Sequence, residues 1–320
     1  MQIPPSYPCP ESASKGTATS SRAFIETIEY NRFVEFCEAC RQFRYIGLCY
    51  GPPGIGKTLS AVRYSRADQI VPRDRWTSDA SDNLPVDTLL YTTAVINTPS
   101  GVRNDINMAR ERVMSIVLNP IRREASVVLE EIRAKDEKRR REIMDKPGCS
   151  PCDRPAVDPT YFETYKQYRI KERAVGDPTT LILVDEADRL HMNSLEQIRS
   201  IFDEGTAGLV LIGMPGLEKR IARFPQFYSR IGFVHEFRPL DAEQVQTLLE
   251  SRWAPTGVTL PDEQLLPEVI ASLIRMSGGN FRLLTRLLTQ IERVLSVNDL
   301  HLVSNAVVEA ARDSLVIGPG

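Results

Sequence analysis

Three short stretches of this chain carry residue types at spacings suited to phosphate chemistry. The first is GPPGIGKT, Gly51–Thr58, where Gly51, Gly54 and Gly56 let backbone N–H groups turn inward around an anion. Lys57 is long enough to reach the outer phosphates of a nucleotide, and the Thr58 hydroxyl suits a phosphate-bound Mg2+ ion. Pro52, Pro53 and Ile55 fill the variable positions, and Leu59 continues into the segment behind, so the expected cradle is Gly51–Leu59. The second stretch, LILVDEAD, delivers two carboxylates from an apolar run. Asp185 is placed to hold Mg2+, and Glu186, one residue on, to polarise a water for in-line attack on a γ phosphate. The third, SGGNFRLLTRLL, breaks one helical pattern at Gly278 and Gly279 and starts the next with Arg282, a cation able to swing over the phosphates; Arg275 and Arg286 are the alternatives for that task.

Such groups need a frame. The cradle lies between the strand-like run YIGLCY and the helical pattern TLSAVRYS, the context that separates a P-loop from an ordinary glycine-rich turn. Further apolar runs, LLYTTAV (89–95), LILV (181–184), LVLI (209–212) and FVHEF (233–237), alternate with helical patterns. Alternation of this kind predicts an α/β fold: a parallel five-stranded sheet flanked by helices, with the carboxylates at the C-terminal end of a buried strand where ligands of open sheets collect. From Pro239 onward only helical patterns follow, which predicts a small all-α lid.

The expected organisation is a mobile tail over 1–20, rich in Pro, Ser and Thr; an α/β domain over 21–238, opened by a helix from Ser21; and the lid over 239–320. About 85 residues separate LLYTTAV from LILV, too many for a simple crossover, so a helical insertion is expected at about 100–178. Within it Pro120 is expected to start or kink a second segment, spanning about 40 Å if helical to Lys146. The KRRR run at Lys138–Arg141 is interleaved with acids and reads as a solvated or intersubunit helix face.

Composition narrows the classes. With 40 Lys plus Arg against 42 Asp plus Glu the formal net charge is -2, so any nucleic-acid surface must be local. No run approaches the roughly 18 apolar residues of a membrane span, and the start lacks a signal pattern, so a cytoplasmic location is expected. Six cysteines scattered through a chain of this kind are expected to be reduced. Two pairs have CxxC spacing: Cys149/Cys152 has the Pro/Gly setting of a zinc knuckle, whereas Cys37/Cys40 fall at helical spacing and read as small apolar residues.

Taken together, GPPGIGKT, VDEADRL, the helical lid and SGGNFR resemble an AAA+ ATPase. The span from DEADRLHMNSL to VHEFRPL, residues 185–240, resembles more closely the ATPase subunits of transposons and Mu-like phage, the TniB, TnsC and MuB group. The resemblance covers roughly 22–315 and is weakest over 100–180. It implies ATP hydrolysis with Mg2+, and ATP-bound homo-oligomers, rings or helical filaments, around double-stranded DNA. It implies further that they mark a target site, recruit a DDE-type transposase, in some cases with a target-selector protein, and disassemble on hydrolysis. It also implies that the loop after the second strand, NTPSGVRND, lines the DNA channel, with Arg103 and Asn104 as phosphate contacts independent of sequence. By the same resemblance Arg230, in FYSRIGFVHEF, stands where such ATPases place the arginine finger that reaches a neighbour's nucleotide, with Arg223 as runner-up; the expected catalytic set is Glu186, Arg230 and Arg282. Met214 occupies the place where relatives offer Asn, Thr or Ser to the γ phosphate, a departure from the pattern. Two other readings share the motifs: an initiator or helicase-loader ATPase, for which no winged-helix pattern follows the lid, and a STAND-type regulatory switch, for which no effector or repeat pattern follows it.

Overall fold

Apolar runs bounded by turn formers supply five strands, and in the computed structural model, which describes residues 24–70, 86–145, 156, 158–251, 253, 255, 258 and 265–315, they form one sheet. The strands are β1 (Ile46–Tyr50), β2 (Thr88–Thr92), β3 (Leu181–Asp185), β4 (Gly208–Gly213) and β5 (Ile231–Glu236), all parallel, in the order β2-β3-β4-β1-β5. β3 and β4 are buried at every position, as strands covered on both faces must be, while edge strand β5 alternates between half-buried and exposed.

Strand residues divide by parity between two cores. Leu48, Val184, Leu209 and Leu211 face α3 (Pro99–Met144) and α5 (Met192–Glu204). Cys49, Leu183, Val210 and Ile212 face α1 (Ile28–Phe43), with Ile55 of the P-loop and Ala61 of α2 (Lys57–Ser65) in the same core. The sandwich therefore fixes the C-terminal ends of β1, β4 and β3 side by side, and that edge carries the chemistry.

The inserted interval is a helical hairpin. α3 is one helix of 46 residues, about 70 Å long, packed along α4 (Pro159–Ala174) through Arg122–Glu172 and Tyr168–Glu124 bonds. This corrects the expectation of a second segment starting at Pro120: the helix continues through it, with the ring on an exposed face. Two more corrections concern β2. The strand ends at Thr92, not at Val95, so Val95 and Ile96 stand 73% and 87% exposed beyond the sheet. NTPSGVRND is not a free loop: Thr98 accepts a hydrogen bond from Gly101 N–H (3.1 Å) and Pro99 opens α3, a helix-start signal that places Arg103 and Asn104 in its first turns.

The helix expected from Ser21 begins at Ile28, capped by Thr27, which accepts from Tyr30 N–H. The pattern GLEKRIARFPQFY divides into α6 (Leu217–Ile221) and α7 (Pro225–Tyr228), because Pro225 disfavours helical backbone at Phe224. Residues 239 onward supply α8 (Ala242–Glu250), α9 (Pro267–Ser277), α10 (Phe281–Val297) and α11 (Asn305–Asp313) around a core that includes Leu248, Leu273, Leu287 and Val308. Among the described residues no helix is long and apolar enough to cross a membrane. The expected tail, 1–20, and Cys149 and Cys152 lie outside the described residues.

Candidate functional site

The P-loop leaves β1 at Gly51, whose N–H donates to Gly213 at the end of β4 (3.4 Å), and turns into α2 at Gly56, held at a φ of 113°. Pro52 and Pro53 are exposed and Ile55 anchors the loop in the core, while Thr58 and Leu59 are exposed on the first turn of α2. Lys57 folds over the loop and donates to the carbonyls of Gly51 (2.6 Å) and Pro52 (2.7 Å). Burial lowers the Lys57 ammonium below the usual lysine range; Cys49, Asp185 and Asp188 pull it up, and Arg282 adds to the lowering. Groups from β3 and from the lid are thus felt at the loop's cation.

Asp185 ends β3 with 3% of its surface exposed, and its Oδ1 accepts from the Glu186 N–H (2.9 Å). Its buried carboxylate and the exposed Thr58 hydroxyl are hard oxygen donors of the sort Mg2+ takes. Glu186 has a left-handed backbone, φ 54°, which turns it away from the strand direction, and its carboxylate is ion-paired with Arg189. β4 ends between the P-loop and these carboxylates. There Met214 is 37% exposed, and its N–H donates to Asp188 Oδ1 (3.1 Å), so this position offers a thioether where a polar side chain was sought.

The lid reaches the same edge. Asn280 caps α10 by accepting from Leu283 N–H (3.2 Å) and donates through Nδ2 to Pro53 O (2.8 Å), while Arg282 N–H donates to Gly54 O (2.8 Å). Gly54 permits this approach, since at its φ of 81° a Cβ would lie 2.7 Å from Asn280 Oδ1. The Arg282 side chain is exposed at the start of α10, while Arg275 and Arg286 are exposed elsewhere on α9 and α10.

Arg230 stands immediately before β5. It binds Asp203 of α5 through both carboxylate oxygens (Nε 2.7 Å, Nη2 3.0 Å) and also donates to Gln226 O. Asp203 is shared with Arg199 (2.6 Å). Arg223 is exposed just after α6. Arg103 is likewise paired, to Glu204 (2.7 and 3.0 Å) and Ser200 (3.3 Å), while Asn104 beside it is exposed. Cys37 and Cys40 are fully buried against the sheet, where burial raises the Cys40 thiol to about 12; they are core residues. Among the described residues no group of three or more His, Cys, Asp or Glu could hold a metal ion.

Four residues were not singled out from the sequence and are placed here: Asp188, Arg189, Asp203 and Asn280. Only Asn280 had a legible signal, as a cap residue ahead of an apolar helical pattern, and that signal spoke of its own helix alone. The other three depend on partners brought near by the fold.

Comparison with known proteins finds a family, a relative and similar solved structures. The AAA domain family matches residues 41–221. A Staphylococcus aureus protein described as a potential ATP-binding protein is 38% identical over 308 residues, covering 94% of this chain and 99% of its own. A mutant of Thermotoga maritima RuvB shares 11% identity at a TM-score of 0.50, over 91% of this chain and 69% of that one, a likeness of fold. The Aeropyrum pernix ORC1 protein in complex with DNA aligns at 20% identity and a TM-score of 0.47, over 89% of this chain and 64% of that one.

Proposed function

This chain belongs to the AAA domain family, and from that premise we propose that it is an ATPase of the transposition target-selection group, which assembles with ATP on double-stranded DNA. The observation that carries the nucleotide part is the meeting, at one edge of the sheet, of the Gly51–Leu59 loop, Asp185 and Glu186, and the N-terminus of α10. The transposition part rests on the resemblance of residues 185–240 to the TniB, TnsC and MuB group.

On this reading backbone N–H groups of Gly54, Gly56 and Lys57 and the α2 dipole take the β phosphate, and Lys57 exchanges the Gly51 and Pro52 carbonyls for phosphate oxygens. Thr58 and Asp185 would hold Mg2+, and the ion would supply positive charge to offset that of the nucleotide's phosphates. Glu186 parts from Arg189 and accepts a proton from the water as its oxygen bonds to the γ phosphorus and the bond from that phosphorus to the β–γ bridging oxygen breaks; the proton then passes to the released phosphate, and ADP and phosphate leave. Arg282 covers the phosphates from the lid. Arg230 reaches the neighbouring subunit's γ phosphate after leaving Asp203, and this is why activity requires a homo-oligomer, ring or filament.

DNA contact is local and independent of sequence, in keeping with a formal net charge of -2. Asn104 is free to meet a phosphate, whereas Arg103 does so only by leaving Glu204. The reading includes 21–238 as the ATPase domain and 239–320 as its lid, a DDE-type transposase and a target selector as partners, and a bacterial cytoplasmic setting.

Electron microscopy with a slowly hydrolysed ATP analogue and Mg2+, with and without duplex DNA, tests it. Ordered assemblies on DNA are expected from the native chain, and none from Lys57→Ala. Assembly equally good without nucleotide would overturn the reading.

A further inference from the structure

The lid touches the phosphate-binding loop through a side chain with two separable duties. Asn280 uses its carbonyl oxygen on its own helix, accepting from Leu283 N–H (3.2 Å), and its amide nitrogen on the loop, donating to Pro53 O (2.8 Å) across 227 positions of sequence. Beside it Arg282 N–H donates to Gly54 O (2.8 Å), so two consecutive loop carbonyls are bound by the first turn of one lid helix. The packing leaves no slack: a Cβ on Gly54 would lie 2.7 Å from Asn280 Oδ1 and 2.9 Å from Arg282 Cβ. Behind the cap, Gly279 O accepts from Leu240 N–H (3.0 Å), and a Cβ on Gly279 would meet Leu240 O at 1.9 Å. The start of α10 is therefore gripped on one side by the loop and on the other by the segment leading from β5 into the lid.

We propose that Asn280 is a positioning residue that latches the lid to the phosphate-binding loop, so that the shape of the loop sets where Arg282 sits. When the loop closes around phosphate, the carbonyls of Pro53 and Gly54 turn as their neighbouring N–H groups turn toward the anion, and the start of α10 follows through the two bonds. The idea rests on the ATP-binding reading of the loop for its ligand, but the latch itself exists without nucleotide.

An amide is needed because the two duties require an acceptor and a donor on one short side chain. Asn280→Asp keeps the acceptor and remains a good helix cap, but sets a carboxylate against Pro53 O in place of a donor. Asn280→Ser also caps while lacking the reach to Pro53.

The test is hydrogen exchange of the segment 277–284 in the full chain, with and without ATP and Mg2+, alongside ATP affinity and melting temperature. Without nucleotide, Asn280→Asp is expected to exchange the Arg282 N–H faster than the native chain while melting at the native temperature. With nucleotide, the added protection of this segment is expected to be lost and ATP to bind about threefold to tenfold more weakly, the net worth of one hydrogen bond. Should Asn280→Asp melt early, Asn280→Ser serves in its place. Native exchange in the capped variant, with or without ATP, overturns the latch and leaves ATP binding standing. Failure of the native chain to bind ATP overturns the reading of the loop, while the nucleotide-free exchange still decides the latch.

Discussion

Replacing Arg230 with alanine separates a structural from a catalytic role, because the two differ in size. In the isolated chain Arg230 makes two charge-assisted bonds to Asp203, at 2.7 and 3.0 Å, with the two side chains 32% and 31% exposed. A pair screened by that much solvent is worth about 0.5–1 kcal/mol, and Asp203 keeps Arg199 at 2.6 Å when Arg230 is gone. The melting temperature should therefore fall by about 2–4 °C at most. A cation supplied to the transferred phosphoryl from a neighbouring subunit is worth about 10³–10⁵ in rate, or about 4–7 kcal/mol. Arg230→Ala is thus expected to fold, to bind ATP as the native chain does, and to turn it over at least a thousandfold more slowly in the assembled state. The decisive assay is mixing. Glu186→Gln subunits bind ATP, assemble and carry an intact Arg230 but lack the proton acceptor, whereas Arg230→Ala subunits keep the proton acceptor but lack the finger. Alone, each should turn over ATP at about a hundredth of the native rate or less, and a mixture on duplex DNA should recover part of the native rate. A native rate from Arg230→Ala alone, or no recovery on mixing two variants that do co-assemble, would refute the assignment and leave Arg230 as the anchor of the β5 start to α5.

Three further outcomes are expected. Glu186→Gln keeps the shape at the end of β3 but removes the proton acceptor, so ATP binding should persist while turnover falls by about 10²–10⁴-fold and assemblies on DNA outlast those of the native chain in a dissociation assay. Gly54→Ala forces a side chain into a left-handed backbone, about 1–2 kcal/mol, and against Asn280 and Arg282 as well; ATP affinity measured by titration should drop at least tenfold. For the α3–α5 contact, the Arg103 guanidinium and then the Ser200 hydroxyl lower the Glu204 carboxyl to about 2 from an ordinary 4.5. Its folded pKa is depressed, so its contribution is complete above about pH 4.5 and is lost as pH falls toward 2; Glu204→Gln should flatten the native chain's melting temperature over that window relative to neutral pH.

The elements legible in the sequence are those whose cause is local. GPPGIGKT between an apolar run and a helical pattern is sufficient for the P-loop, because glycine positions and a helix start dictate the backbone there. Four apolar residues before Asp185 and Glu186 give a buried strand ending in carboxylates, and β1 to β5 all lie where such runs predict them. The misplacements are at ends. Val95 is β-branched, yet no neighbouring strand extends far enough to pair it, since β3 ends at Asp185 opposite Thr92. Pro120 breaks helices by propensity, yet α3 continues because its buried residues Val113, Ile116 and Leu118 hold the chain in register there.

The sequence by itself determined the backbone of one glycine-rich loop, the strand end that carries Asp185 and Glu186, and the alternation of strands and helices followed by the helical lid, since each of these elements follows from residues within a dozen positions of one another. Only the tertiary structure decided what the other charged and polar groups do. Arg103 belongs to Glu204, 101 positions away, Arg230 to Asp203, 27 positions away, and Asn280 to Pro53, 227 positions away. The reason is physical: a guanidinium or an amide satisfies its hydrogen bonds with whichever partner the packed sheet and helices bring within about 3 Å, and no local pattern encodes that choice.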